Sequence, residues 1–215
     1  MVMLKVWELR RFWVKYRKNR IGKYMEYQKK FEEAVERTKR LNLNIPMDIN
    51  FVDTKYLSNE LMVKFPYALR DKFGEIGIEE LAGQCLSINL RIKNFISDFF
   101  KSPVYYTIGY VVIKDKNYFY QNEESLNDML KNGVNSDKIS IHAWLTLPSM
   151  EIIDLSIATS CAIVNNIPEG LGGIIINFAD NIKDTEFIPM LVGEDFVFKA
   201  GLFRGFVISQ FIYGN

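Results

Sequence analysis

The stretch Ile139–Ile157, ISIHAWLTLPSMEIIDLSI, holds the chain's single histidine and, twelve positions after it, a carboxylate set among branched aliphatics. Its first half alternates: Ile139, Ile141, Ala143, Leu145 and Leu147 fall on one side of an extended backbone, and Ser140, His142, Trp144 and Thr146 on the other. This is the period of a strand with one face in a core. Pro148 and Ser149 break the run, and a second apolar run from Ile152 to Ile157, interrupted by Asp154 and Ser156, completes a predicted β-hairpin. Register then decides the chemistry. A loop of odd length centred on Pro148 puts His142 directly across from Asp154 on the same face, with Cβ atoms about 4.5–5.5 Å apart. A two-residue loop slips the register by one and sends the two side chains to opposite faces.

Upstream, Cys85 opens a predicted amphipathic helix. Ile88, Ile92, Phe95, Ile96 and Phe99 form its apolar face, while Asn89, Arg91, Lys93 and Asn94 take the other side. Val104–Ile113, Ile174–Phe178 and Phe187–Val192 read as further strands, and Pro168–Gly173 as a turn. The polar excursion from Lys114 to Lys138 is expected to hold a short helix around Glu123–Leu130. Thr54–Phe73 suggests one or two short helices, with Pro66 limiting the first. The tail from Phe196 to Tyr213 suits either strand or helix. Helices and strands in this arrangement place the chain in the α+β class.

Charge divides the chain in two. Residues 1–40 carry thirteen Lys and Arg against five Asp and Glu, although the whole chain has a net charge of only +1, so the remainder is acidic. Residues 3–41 lack proline and contain one glycine, Gly22. Leu4, Trp7, Leu9, Phe12, Trp13 and Tyr16 recur at helical spacing, as do Tyr24, Tyr27, Phe31, Val35 and Leu41. Residues 1–42 therefore read as a basic helical arm, followed by the Pro/Asn-rich linker Asn42–Asn50 within a domain of residues 43–215. The arm is expected to lie against the acidic body of its own chain; the alternatives are self-association or an anionic partner. No nucleic-acid reading module accompanies it, so sequence-specific nucleic-acid binding is not expected.

Eight charged residues in the first twenty leave no uncharged centre for a signal peptide. No apolar run approaches the roughly 18–20 residues that cross a bilayer. The expectation is a cytoplasmic chain whose two cysteines, Cys85 and Cys161, stay free. Cys161 sits in the apolar run Ala158–Val164 and reads as core. One histidine and two separated cysteines do not supply a structural zinc site, and no metal or other cofactor is expected. Asp180, Asp184, Glu186, Glu194 and Asp195 match no calcium loop.

Cys85, His142 and Asp154 remain as a constellation suited to nucleophilic catalysis. A thiol at a helix N-terminus feels exposed N–H groups and the positive end of the dipole, which favour thiolate. An imidazole beside it takes the proton and later delivers it to a leaving group. A carboxylate fixes the tautomer of the ring and stabilises its charged form. The backbone N–H of Cys85 is an oxyanion donor. The pieces Gly83-Gln84-Cys85, His142-Ala143-Trp144-Leu145 and Glu151-Ile152-Ile153-Asp154-Leu155-Ser156, in this order, resemble the papain-like superfamily and within it the transglutaminase-like group. The resemblance covers roughly residues 80–157. It implies a Cys-bearing helix packed on an antiparallel sheet, with Cys85 as nucleophile, His142 as base and acid, and Asp154 as orienting carboxylate. It also implies acyl chemistry on a peptide or other amide, by hydrolysis as in a peptidase or amidase, or by transfer to an amine as in a transglutaminase. Papain-like enzymes often place an oxyanion-stabilising glutamine several residues before the cysteine; here Gln84 is adjacent and Glu79 holds that distance. Trp144 shares the face of His142 and either walls a pocket or covers the sheet. The rival to catalysis is an interaction protein on the same fold that holds a partner through the basic arm.

Overall fold

A computed structural model describes residues 25–46, 49–134 and 140–203. The first aromatic stripe of the arm, Gly22, and the tail beyond Phe203 lie outside the described residues. Within them the chain is α+β: helices α1 (Met25–Arg40), α2 (Asn59–Phe73), α3 (Ile78–Leu81), α4 (Cys85–Phe100), α5 (Glu123–Asn132), α6 (Ile157–Asn165) and α7 (Asp195–Lys199) enclose an antiparallel sheet. Its strands are β1 (Tyr105–Ile113), β2 (Lys116–Tyr118), β3 (His142–Thr146), β4 (Glu151–Asp154), β5 (Ile175–Phe178) and β6 (Thr185–Val192). β1 pairs β3 along Tyr105–Gly109 and β2 along Val111–Ile113, and pairs β6 along Thr107–Ile113; β4 and β5 follow beyond β3. No helix among the described residues is long and apolar enough to cross a membrane.

The strand predicted to bury one face buries both: every residue from His142 to Thr146 is inaccessible. Ala143, Leu145 and Ile153 point into a core shared with Ile88, Ile92 and Ile96 of α4 and with Phe65 and Leu69 of α2. The alternate positions Trp144 and Ile152 point into a second core with Tyr27, Phe31, Ala34 and Val35 of α1 and Phe187 of β6. The extra cover comes from the arm, whose spacing predicts an apolar stripe without saying what lies beneath it. Pro66 does not end the first helix of Thr54–Phe73. α2 runs through it, and the loss of a backbone bond is tolerated because Phe65 and Leu69, on either side, are anchored in the core.

Three polar attachments seat α1. Asp180 Oδ1 accepts from the Tyr27 N–H at the start of the helix, at 3.1 Å. Thr38 Oγ1 accepts from the Val192 N–H of β6 at 2.9 Å. The Tyr27 hydroxyl accepts from Trp144 Nε1–H at 2.7 Å and lies 2.9 Å from Thr146 Oγ1, which lies 2.8 Å from Thr107 Oγ1. The Thr107 hydroxyl then donates to the Tyr105 carbonyl at 3.3 Å. An indole only donates and a carbonyl only accepts, so every proton along this buried chain has its direction set from the two ends. The basic side chains of α1 meet the acidic body: Arg37 and Arg40 pair with Glu123, and Lys30 with Glu186. Such largely exposed pairs contribute little each, so the aromatic and hydroxyl contacts carry the docking.

Tyr27→Phe keeps the ring but strands the buried indole N–H of Trp144. It should cost about 1–3 kcal/mol in urea unfolding, with an unchanged dependence on denaturant concentration. A loss within a few tenths of a kcal/mol of zero would show that the hydroxyl chain does not hold α1.

Candidate active site

Three elements start or stop at one place: Cys85 is the first residue of α4, His142 the first of β3 and Asp154 the last of β4. The hairpin sets their relation. Pro148, Ser149 and Met150 form a three-residue loop in which the Met150 N–H donates to the Leu147 carbonyl and the Leu147 N–H to the Glu151 carbonyl, both at 2.8 Å. Pro148 takes the first corner, where its restricted φ is an advantage, and Met150 closes the loop at φ 64°, in the left-handed region. The ladder, Leu145 with Ile153 and Thr146 with Ile152, is therefore centred on Ser149 and not on Pro148. The loop is odd, so His142 and Asp154 share a face as expected. They are not directly opposite: the register continued places Asp154 across from Trp144, and the pair meets on the diagonal.

The ladder has parted before it reaches them. In the opening, His142 Nε2 lies 2.5 Å from Asp154 Oδ2. Asp154 Oδ1 accepts from the Ser156 N–H at 2.8 Å, the Ser156 hydroxyl at 3.0 Å and the Ile157 N–H at 3.1 Å. The carboxylate thus caps the N-terminus of α6, where free N–H groups and the helix dipole favour negative charge. It also ends the predicted second strand at Asp154, because its capture of these N–H groups turns the chain into helix. His142 is 1% exposed and Asp154 0%.

The Cys85 thiol donates to the Ile141 carbonyl at 3.5 Å and lies close enough to the His142 ring to act on it electrostatically. With Nε2 engaged by Asp154, Nδ1 is the ring nitrogen left for the sulfur. Burial opposes a charge on the ring, but the Asp154 carboxylate and the nearby thiol outweigh it and hold the imidazole up, to about 10. No side chain caps the N-terminus of α4, so its first N–H groups keep their donor capacity. Cys85 itself is only 6% exposed.

Of the two further residues singled out from sequence, Gln84 is exposed, and its Oε1 accepts from Ser87 of its own helix at 3.1 Å. Trp144 is buried, stacked on His142 at 5.8 Å between ring centroids; it backs the imidazole and covers the sheet. Cys161 is half-buried at the margin of the second core, where burial pushes its thiol up.

Sequence patterning missed Asn89. Assigned to the polar side of the helix, it is fully buried, donating to the Cys85 carbonyl at 2.9 Å and to the Ala143 carbonyl at 2.8 Å. One amide thereby bolts the helix that Cys85 opens to the strand residue next to His142. The available signal was an asparagine one turn after Cys85, beside Ile88 and near Ile92. Gly109 also escaped notice. It pairs with His142, and a Cβ there would collide with the Ile188 carbonyl and the Trp144 ring. Phe119 is a third omission, its ring stacked on His142 at 5.2 Å.

A pocket of about 90 Å³ at the margin of the first core is lined by Leu69, Ile76, Leu81 and Leu155 together with the exposed Tyr67 and Arg70; neither Cys85 nor His142 lines it. A crevice between Gly109, Gln121 and Ile141 is too narrow for a water molecule. No group of three His, Cys, Asp or Glu among the described residues is placed to hold a metal.

An unfolded imidazole loses its proton near pH ~6.5, whereas His142 in the folded chain holds it to about 10. The folded state then binds the extra proton, so this contribution to stability is complete below about pH 6.5 and is lost as pH rises through the folded value. The Tm advantage of the wild type over His142→Gln should shrink from mildly acidic to strongly alkaline pH. A pH-independent difference would mean that the buried ring is neutral. No protein-family model, curated protein or solved structure matches the chain, so the chemistry rests on this geometry alone.

Proposed function

We propose that the chain is a thiol-dependent acyl-transfer enzyme of the papain-like, transglutaminase-like type that acts on amides through Cys85, His142 and Asp154. The observation that carries this reading is the buried 2.5 Å contact between His142 Nε2 and Asp154 Oδ2, beside Cys85, whose thiol is held on the carbonyl of Ile141, the residue before His142. A surface ion pair needs no third partner. This pair is removed from water, which is costly unless each group is satisfied. The order of parts, a cysteine opening a helix packed on an antiparallel sheet and then histidine and aspartate on successive strands, supports the same family.

The steps follow from the roles. Cys85 sulfur attacks the amide carbonyl, forming the C–S bond as the thiol proton resides on the ring, and the carbonyl oxygen takes the negative charge. N–H groups of the first turn of α4 are the donors for that oxygen. Collapse breaks the C–N bond, and the imidazolium proton goes to the leaving amine. Water or a second amine, giving its proton to the neutral ring, then attacks the thioester; collapse breaks the C–S bond, and the imidazolium returns the proton to sulfur. Water yields a carboxylic acid and an amine a new amide; the acceptor is chosen by access to the site and not by the triad. Free Cys85 suits a reducing, cytoplasmic setting.

The burial of Cys85 favours a second reading, an interaction protein that keeps the fold without using the thiol. Within the described part of the basic arm, Arg37, Arg40 and Lys30 are engaged by Glu123 and Glu186 of the same chain.

Labelling with iodoacetamide near neutral pH separates the two, using a Cys161→Ser background so that only Cys85 reports. An active thiol is alkylated in the folded protein, and His142→Ala slows it by about tenfold or more while Asp154→Asn slows it less. Labelling that waits for global unfolding, and is indifferent to His142, ends the catalytic reading.

A further inference from the structure

The imidazole of His142 lies between two aromatic rings. Trp144 stacks on it at 5.8 Å with 28° between planes, and Phe119 at 5.2 Å with 27°. The two plates are held in different ways. Trp144 belongs to the paired body of β3, fixed behind the ring by its bond to Tyr27 and by contact with Phe187 at 5.1 Å. Phe119 follows β2, a strand of three residues that pairs only with β1, and is half-buried between a half-buried Tyr118 and an exposed Tyr120. Its φ is +64°, the left-handed region that a bulky side chain avoids. Such a conformation persists only where contacts hold it, and the stack on His142 is one of them.

The same segment reaches the neighbourhood of the thiol. Gln121 Nε2 donates to the Ser140 carbonyl at 2.9 Å. The next carbonyl along, that of Ile141, accepts from Cys85. Gln121, Gly109 and Ile141 meet in the crevice too tight for water. Phe119 therefore covers part of the His142 ring while Gln121 ties the same segment to the strand beside Cys85, and the catalytic reading requires this cover to open.

We propose that Phe119 is the access-determining residue of this site, an aromatic cover that must leave the His142 ring before an acyl group reaches Cys85. The inference rests on the proposed catalytic reading of Cys85. Departure of the ring relaxes Phe119 from its left-handed backbone, so the strain lowers the cost of opening. The lost stack on a positively charged imidazole raises that cost, since aromatic faces attract cations. The balance makes the cover a local opening and not an unfolding event.

The test reads the alkylation rate of Cys85 in the Cys161→Ser background with two reagents, small iodoacetamide and a bulky maleimide. Phe119→Gly removes the ring and accepts the left-handed backbone without strain. It should label about tenfold faster or more than the parent with the maleimide, and by a smaller factor with iodoacetamide, because opening limits the larger reagent more. Phe119→Tyr keeps the plate and should match the parent. Equal rates in parent and Phe119→Gly with both reagents overturn the proposal. If Phe119→Gly loses its cooperative unfolding transition, Phe119→Leu takes its place, and a parent-like rate there overturns it equally. The two claims fail separately: labelling unaffected by His142→Ala but accelerated by Phe119→Gly describes a covered, inactive thiol, whereas dependence on His142 with none on Phe119 describes an active thiol reached by another route.

Discussion

The contact between His142 and Asp154 organises its surroundings because neither group has water to fall back on. A carboxylate with no exposure must have its oxygens satisfied by the protein. Asp154 meets the requirement with one oxygen on the imidazole and the other on the Ser156 hydroxyl and two N–H groups at the start of α6. The strand has to end there, a helix has to begin there, and β3 and β4 have to part there. Removing one partner of such a pair typically costs about 3–5 kcal/mol, since the other is left charged and buried. The pair constrains the fold more than it strengthens it.

Around this constraint the molecule builds from both faces of the sheet. On one, α4 brings the Cys85 thiol to the ring, and Asn89 locks its first turn to β3 through two backbone carbonyls. On the other, α1 supplies Tyr27, whose hydroxyl holds the Trp144 indole against the back of the imidazole. An imidazole placed in this way has little rotational freedom, which suits the proton transfer proposed for it. The same enclosure leaves Cys85 almost without exposure. Part of that enclosure comes from Phe119, which follows the short edge strand β2 with φ 64° and stacks on the imidazole.

What patterning could and could not see divides along physical lines. The alternation of Ile139–Leu147, the amphipathic spacing after Cys85 and the β-branched run of β1 are local periodicities, and each produced the element expected. The face of Asn89 was misjudged because polarity is a poor guide to burial once a side chain finds backbone partners. Pro66 was taken as a helix limit because its local cost is legible, whereas the burial of Phe65 and Leu69 that outweighs it belongs to the packed core. The hairpin centre moved by one residue, from Pro148 to Ser149, because the left-handed Met150 extends the loop; methionine gives no advance sign of that conformation.

By itself the sequence determined the class of fold and the three residue types that chemistry would need, since these follow from periodicity and composition along a short span of chain, and it narrowed the hairpin to two registers. Tertiary structure alone decided that the arm's helix roofs the second face of the sheet, that His142 and Asp154 meet on a diagonal where their strands separate, and that an aromatic from an edge hairpin closes over the ring. Those outcomes depend on contacts between residues far apart in the chain, made under the demand that buried polar groups find partners and apolar faces find cover, and no local pattern records which partner will be met.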